Sequence, residues 1–402
     1  MNFTYDLLLR LVPGLGGQPE WLLVALSAVV PASILIGFIA VGPIVYVYAE
    51  RKIAGFMQDR LGPMRVGPWG LLQTIADSVK LLFKEAIFPR GTDRLLFVLA
   101  PCLVVVGSFL PFVVIPWGNR LVTADLNIGL FYVVAVSSLS TVGLIMAGWA
   151  SNNKYALFGA MRSAAQIVSY EIPAVMTLLS VVMMVGSLSL QDVVAVQAGG
   201  LQNWLLFKYF PIMPVAFLVF FTAGLAECNR TPFDIPEAES ELVAGFHTEY
   251  SGFFFALFFM AEYTEMFVIA AVASVLFLGG WMAPHESLQS LAFAGLPHVG
   301  LGWFWLVSKA WFLVFVMMWL RWTLPRLRVD QLMHVAWKVL LPIAFVLLVV
   351  VGGLLLLPAT KAGFPWDRFV GWPLTLAGAA YLLYVMAAAF RFNRRRLRDL
   401  PA

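Results

Sequence analysis

Nine apolar segments, each long enough to cross about 30 Å of hydrocarbon, constrain the fold of this chain more than any other feature. Their approximate bounds are 21–49, 95–117, 127–150, 164–188, 205–227, 250–280, 303–322, 338–358 and 372–391. The sequence is 61% hydrophobic and 12% charged, whereas a soluble domain is nearer half apolar and a quarter charged. We therefore predict an all-α, polytopic integral membrane protein whose helical bundle forms a single membrane domain over residues 1–402.

The distribution of basic residues predicts the orientation of the bundle. Of the 26 lysines and arginines, 20 lie in connections on one side of the apolar segments and 4 in connections on the other. Positive residues concentrate on the cytoplasmic side, so we expect the N-terminus outside and the C-terminus inside. The N-terminus has no cleavable signal pattern, and the first helix is expected to remain as an anchor. Topology and anionic lipid headgroups explain the basic residues, so no nucleic-acid partner is expected.

The inner connection at 50–94 contains an amphipathic segment over residues 69–86. This segment is too short and too charged to span a membrane, so we predict a helix that lies in the plane of the interface. A simple lipid-surface anchor would have the same periodicity. The apolar face of the predicted helix consists of Leu71, Leu72, Ile75, Val79, Leu82 and Phe83.

A second inner connection, residues 227–250, places six acids and one base between two strongly apolar segments. Ionisable groups beside hydrocarbon persist mainly where they face a protein interior or a wet cavity, so the connection indicates a functional site. Pro232, Pro236 and the interspersed apolar residues argue against the alternative, a solvated acidic loop. The base is Arg230, and the acids are Glu227, Asp234, Glu237, Glu239, Glu241 and Glu249.

Three further acids lie within the apolar segments. Glu171 stands just before Pro173, which frees a backbone carbonyl, and it is either a proton-relay group or half of a buried ion pair. Glu262 and Glu265 are three residues apart, which places them on one helix face. One carboxyl of such a pair is expected to hold a proton at neutral pH, as a relay requires, although a structural hydrogen-bonded pair would have the same sequence.

The sequence contains no pattern that predicts a redox centre or a metal site. Cys102 and Cys228 are isolated and lack the spacing of zinc or iron–sulfur ligands. The four histidines lie in or beside connections, and neither a phosphate-binding glycine loop nor a nucleophile–histidine–acid arrangement is present. We therefore expect that the chain performs no redox chemistry alone.

Three blocks that together cover about a hundred residues resemble a known family. They are AERKIAGFMQDRLGPMRVGPWGLLQTIADSVKLLFKE, SNNKYALFGAMRSAAQIVSYEIP and AECNRTPFDIPEAESELVAGFHTEYSGFFFALFFMAEYTEM. The blocks resemble the H subunit of bacterial NADH:quinone oxidoreductase, the counterpart of the first mitochondrially encoded subunit of complex I. Blocks of this length are far more specific than a short motif.

The resemblance implies a subunit at the heel of the membrane arm that forms the membrane side of the quinone chamber and its entrance. It also implies coupling of quinone reduction to proton translocation through buried acids. Quinone would be the substrate, with FMN and iron–sulfur clusters held by partner subunits. The expected partners are the 49-kDa-like subunit, the subunit with the terminal iron–sulfur cluster, small membrane-arm subunits and lipids of the bacterial plasma (inner) membrane.

Two sets of site residues follow from the resemblance by motif position. The quinone chamber and entrance would contain Glu50, Arg51, Gln58, Arg60, Asp77, Lys80 and Arg230. The proton relay would contain Glu171, Glu227, Asp234, Glu237, Glu239, Glu241 and Glu262. The sequence departs from the family pattern at Cys228, Thr231, Ala238 and His247, and His247 is expected to titrate near neutrality.

Two other functions fit less of the sequence. The membrane subunit of an energy-converting hydrogenase would work without quinone, but the entrance motif and the intact FDIPEAESELVAG block favour the quinone form. A stand-alone ion antiporter would need lysine and glutamate on broken helices in repeated halves, and the sequence has no internal repeat. The sequence leaves open whether the quinone is ubiquinone, menaquinone or plastoquinone.

Overall fold

The computed structural model describes residues 20–119, 121–235, 242–289, 292–293, 296–300 and 302–356. These residues form a bundle of helices with one short antiparallel β pair, β1 and β2, in the predicted outer connection before the seventh apolar segment. The helices and strands are α1 Glu20–Met57, α2 Gln73–Phe83, α3 Arg94–Phe109, α4 Gly129–Ala150, α5 Lys154–Val185, α6 Leu190–Ala195, α7 Leu205–Lys208, α8 Ile212–Glu227, α9 Gly252–Phe277, α10 Glu286–Gln289, β1 Ala292–Phe293, β2 Leu296–Gly300, α11 Gly302–Thr323, α12 Val329–His334 and α13 Leu341–Leu356.

Seven helical segments are long and apolar enough to cross a membrane, and α8 is a shorter apolar helix. The seven are Pro31–Met57, Arg94–Val113, Gly129–Ala150, Lys154–Val185, Gly252–Phe277, Gly302–Thr323 and Val329–Leu356. The prediction of an all-α polytopic membrane protein is confirmed. Eight of the nine predicted segments coincide with these helices, and the ninth, 372–391, lies outside the described residues.

Helix caps and one proline explain why two of the predicted helix bounds were wrong. Helix α5 begins ten residues before the predicted start at 164, because the Asn153 side chain caps it by accepting a hydrogen bond from the Tyr155 amide at 2.9 Å. It ends at Gly186, whose φ of 80° suits glycine. The predicted segment 205–227 is divided by Pro211, which leaves α8 with 16 residues and a rise of about 24 Å.

The interfacial helix is also shorter than predicted. Residues 68–70 form a separate 3₁₀ turn in which Trp69 has a φ of 58°, and regular α-helix occupies only Gln73–Phe83 of the predicted 69–86. Helix α2 ends at Lys84, whose backbone is extended. The predicted position in the sequence is correct, and its length is wrong because hydrophobic spacing does not register the turn at Trp69.

Helices α5 and α9 are the two around which the bundle packs. Helix α9 contacts α1, α2, α3, α8 and α11, whereas α5 contacts α4, α8 and the continuous helix of α12 and α13. Small residues allow close helix approach where lipid offers no hydrophobic driving force. A Cβ placed on Gly107 of α3 would lie 2.9 Å from the Ser140 nitrogen of α4, so a larger residue would separate these two helices.

Candidate functional site

The predicted entrance residues Arg51 and Asp77 form an ion pair that joins the end of α1 to α2. Arg51 Nη1 lies 2.5 Å from Asp77 Oδ2, and Gln73 Nε2 donates to Asp77 Oδ1 at 3.1 Å. Burial alone would raise the pKa of Asp77. The hydrogen bond and the positive charge of Arg51 have a larger combined effect in the opposite direction, to which Gln73 and Lys80 add, so the pKa is lowered. Asp77 is therefore ionised at neutral pH, and the pair tethers α2.

The apolar face predicted for residues 69–86, which comprises α2 and the two leucines before it, points away from the bundle. All six of its predicted residues are exposed, from Val79 at 44% to Phe83 at 87%, and Trp69 is 77% exposed beside them. Gln58, Arg60 and Lys80 are exposed on the same inner connection. An apolar face with charged residues along its border is suited to lipid or to another apolar molecule at the membrane surface.

Glu50, one residue before Arg51, points into the protein and belongs to a buried ion network. It is 5% exposed, accepts a hydrogen bond from the Tyr263 hydroxyl at 2.6 Å and binds Arg321 of α11. Arg230 completes the network with Nη1 at 3.8 Å from Glu50 and Nε at 3.1 Å from Glu262. Its guanidinium carbon lies 4.1 Å from the centre of the Tyr263 ring, a favourable cation–π distance. Two carboxylates and two guanidiniums thus balance in charge inside the protein.

Helix α5 holds the turn that presents Glu227 and Arg230. The buried amide of Gln166 donates to the carbonyls of Ala226 and Phe233, both at 2.8 Å, and to Asn229 Oδ1 at 3.2 Å. Asn229, at a φ of 50°, also donates to Ser163 Oγ at 3.4 Å. These bonds satisfy backbone groups that a turn would otherwise bury without partners, and they fix the start of the acidic connection.

A cavity of about 80 Å³ lies against this turn, and we call it the upper cavity. Glu262 and Glu265 both line it, together with Asn229 and His247, which confirms that the two glutamates share one face of α9. The remaining lining residues are Val104, Ser140, Leu144, Ile167, Cys228, Phe246, Phe255, Phe258 and Phe259. A site with several polar groups and this much space can hold water.

A second cavity of about 50 Å³, the lower cavity, is lined by Glu171, Glu227 and again Glu265. Glu265 therefore faces both cavities and connects the ion network to the acids of α5 and α8. Within the part of the chain that the structure describes, none of these three carboxylates has a salt-bridge partner. Three unpaired carboxylates around a mostly apolar cavity cannot all carry charge cheaply, so their protonation must be coupled.

The structure groups the predicted site residues differently from the two sets, quinone chamber and proton relay, that the sequence predicted. Glu50 and Arg230, predicted at the quinone chamber, share one network with the predicted relay residue Glu262, whereas Arg51 and Asp77 lie apart at the surface. The backbone carbonyl of Asp234 accepts a hydrogen bond from Arg326. Glu237, Glu239 and Glu241 lie outside the described residues.

Sequence reasoning missed three residues of this site. Arg321 was interpreted only as one of the basic residues that set the membrane orientation. Tyr263 was not distinguished from the other aromatic residues of its segment. Glu265 was recognised as a neighbour of Glu262 but not assigned to the relay. Its three-residue spacing from Glu262 was the sequence signal that could have assigned Glu265 to the relay as well.

The expectation that His247 titrates near neutrality is wrong. Burial lowers the pKa of His247 to about 4, and its ring packs edge-on against Phe246 and Phe255. Burial also raises the pKa of the neighbouring Cys228 thiol, with the charges of Glu265 and Glu227 acting in the same direction. Both side chains are therefore neutral at neutral pH and add no charge to the upper cavity.

Comparison with known proteins agrees with this architecture. The sequence model described as NADH dehydrogenase matches residues 30–352, which include every residue of the site. The fold, the buried acids and this match define the chain as a polytopic membrane subunit of the NADH dehydrogenase class.

Similarity to individual proteins identifies which subunit of this class the chain resembles. The chain is 55% identical over 329 residues to the H subunit of NADH-quinone oxidoreductase from Chlorobaculum parvum, covering 80% of this chain and 91% of that protein. It is 46% identical to the H subunits from Bacteroides fragilis (83% and 92% covered) and Anaeromyxobacter dehalogenans (88% and 91% covered). The chain belongs to the family of NADH-quinone oxidoreductase H subunits, as its three sequence blocks predicted, and is a membrane subunit of that oxidoreductase.

Proposed function

We propose that the chain forms the membrane side of the quinone chamber and entrance and that it couples quinone reduction to proton translocation through its buried acids. The observation that carries this proposal is the position of Glu265, which lines both the upper and the lower cavity. Through it, a row of carboxyl groups extends from the ion network to Glu227 and Glu171. Proton transfer between carboxyl groups needs direct contact or an intervening water, and the two cavities provide space for water.

The entrance would be formed by α2 and the end of α1. The exposed apolar residues of α2 would contact the isoprenoid tail, and the Arg51–Asp77 pair beside them would meet the polar headgroup. The buried network of Glu50, Arg230 and Arg321 would form the inner part of the chamber, where a change in headgroup charge or protonation acts on Glu262. Gln58, Arg60 and Lys80 would line the approach.

The partners in this proposal are those that the family resemblance implies. Quinone would be the substrate, and FMN and iron–sulfur clusters would reside in the peripheral subunits that dock on the inner connections, including the acids 237–241. These would be the 49-kDa-like subunit and the subunit with the terminal iron–sulfur cluster. The outward apolar faces of the helices would contact lipids and the small membrane-arm subunits in the bacterial plasma membrane.

A Glu265→Gln variant of the whole complex tests this proposal, because glutamine keeps the shape of the side chain and cannot release a proton. We expect proton pumping to be lost in reconstituted vesicles while NADH oxidation by an artificial acceptor upstream stays normal. Glu249→Gln is a matched control, since Glu249 binds the Asn153 amide at 2.5 Å and lines neither cavity. Full pumping by an assembled Glu265→Gln complex would contradict the proposed path.

A further inference from the structure

The helix that carries Glu171 is held by two hydrogen bonds at the two residues just before that acid. The Trp337 indole donates to Ser169 Oγ at 3.2 Å, and the Tyr170 hydroxyl donates to the Leu332 carbonyl at 2.9 Å. Tyr170 and Leu332 are 0% and 1% exposed. Both partners belong to the continuous helix of α12 and α13, more than 160 residues away in the sequence.

Helix α5 has reduced internal hydrogen bonding at this point. Pro173 has no amide hydrogen, so the carbonyl four residues earlier, that of Ser169, lacks its usual helical donor. The Ser169 hydroxyl itself donates back to the Ala165 carbonyl at 2.6 Å, a bond that often bends helices. The segment around Glu171 therefore depends on outside contacts for a defined position.

One of those contacts comes from an unusual element. Residues Val335–Leu340, which join α12 to α13, form a π-helical segment that contains Trp337. A π-helix has more residues per turn than an α-helix, because its hydrogen bonds join residues five apart rather than four. The segment therefore sets the side of the helix on which Trp337 meets Ser169, whereas Leu332 contacts α5 from α12, before the segment.

The chain just before α12 contacts the turn of the acidic connection. The Leu327 amide donates to the Pro232 carbonyl at 3.1 Å. On α5, the Tyr170 ring packs edge-on against Phe233 of the same turn, with ring centres 5.3 Å apart. The segment before Glu171 and the turn that presents Arg230 are therefore in direct contact.

We propose that the π-helical segment Val335–Leu340 positions Glu171 for proton transfer, with Trp337 and Ser169 as positioning residues. This inference rests on the proposed function, in which Glu171 is a member of the relay. Trp337 touches no reacting atom in this scheme. It limits the positions that the Glu171 carboxyl takes in the lower cavity.

Three conservative variants of the whole complex test the inference: Trp337→Phe, Ser169→Ala and Tyr170→Phe. Each removes one hydrogen-bonding group and keeps most of the side-chain volume. Trp319→Phe and Ser180→Ala are matched controls, because Trp319 is an exposed tryptophan of α11 and Ser180, among the described residues, bonds within α5 to the Met176 carbonyl. The measurements are quinone reductase kinetics in H₂O and D₂O and reduction of an artificial acceptor upstream.

Loss of one neutral hydrogen bond should lower the quinone reductase kcat about fivefold, with an unchanged KM and an unchanged upstream rate. The solvent isotope effect should rise, because proton transfer becomes more rate-limiting, and this change would not accompany a merely structural defect. Combining Trp337→Phe with Ser169→Ala should add little to either single variant, since both remove the same bond.

A Glu171→Gln variant separates failure of this inference from failure of the proposed function. If Glu171→Gln pumps normally, Glu171 is not in the relay and both proposals are overturned at this residue. If Glu171→Gln stops pumping while the three positioning variants match their controls in rate and isotope effect, only the role of the π-helical segment is overturned. Should Trp337→Phe fail to assemble, Ser169→Ala and Tyr170→Phe give the same two outcomes.

Discussion

At the residue scale, the centre of the site is a balanced set of buried charges. Glu50 and Glu262 face Arg230 and Arg321, and Tyr263 contacts both an acid and a base. Buried charges are tolerated when each has a partner, and removal of one partner leaves the other uncompensated. A quinone headgroup or a proton that binds among these residues would therefore change the electrostatic interactions of every charged group in the network.

Replacement of Arg321 tests the balance. Removing one partner of a buried pair costs about 3–5 kcal/mol, so Arg321→Met should lower the amount of assembled complex and the temperature at which quinone reductase activity is lost. Glu50→Gln combined with Arg321→Met should be milder than Arg321→Met alone, because both charges are then absent. Lys84→Met, at an exposed base, is the control. A double variant worse than both single variants would contradict a paired role.

These contacts also mark the limit of sequence reasoning at the residue scale. The acids could be selected because charge beside hydrocarbon is costly. The partners of these acids could not be predicted from the sequence, since Glu50 lies 271 residues from Arg321 and 213 residues from Tyr263. Such pairings depend on how helices pack, and hydrophobic periodicity carries no information about that packing.

At the element scale, α2 is an amphipathic helix that packs against α1 and α9. The Arg51–Asp77 pair joins it to α1, and the bond from the Tyr48 hydroxyl to the Trp69 carbonyl, at 3.1 Å, joins the turn before it to α1. The hydrophobic pattern predicted this helix and most of the spans correctly. It could not predict the break at Pro211 from hydropathy, because residues on both sides of the proline are apolar.

Loosening α2 should weaken quinone binding without affecting electron input. An exposed ion pair contributes about 0.2–1 kcal/mol, so Arg51→Ala and Asp77→Asn should each raise the quinone KM by up to about fivefold. The double variant should behave like either single one, and upstream reduction of an artificial acceptor should be unchanged. Glu85→Gln, at an exposed acid just beyond α2, is the control. Additive effects of the two changes would show that the residues act separately.

The same pair predicts the pH dependence of this effect. Because the folded-state pKa of Asp77 is lowered, its stabilising contribution is complete at neutral pH and is lost only as the pH falls through that lowered value. The quinone KM ratio between wild type and Asp77→Asn should therefore stay constant from about pH 6 to pH 8, measured in membranes. A ratio that declines across this range would exclude Asp77 as an ionised tether.

At the scale of the whole molecule, the proposed function requires the acidic connection and the longest basic connection to share one side of the membrane. Between Arg65 and Ser287 the structure has five apolar helices, α3, α4, α5, α8 and α9, so these positions should lie on opposite sides. Single cysteines at 65 and 287, in a chain with Cys102→Ala and Cys228→Thr, test this with an impermeant thiol reagent. Position 65 should react only from the cytoplasmic side, and labelling of both from one side would contradict the arrangement.

The central claim is that protons or charge pass along the carboxyl row from the ion network to α5, and Glu227 is its most informative member. Glu227 is the last residue of α8, just before the turn held by Gln166, and it lines the lower cavity together with Glu171 and Glu265. The measurement is the proton-to-electron ratio of the Glu227→Gln complex in reconstituted vesicles, with subunit content checked by blotting. We expect no pumping by Glu227→Gln and partial pumping by Glu227→Asp, whereas a full ratio in an assembled Glu227→Gln complex would remove Glu227 from the path.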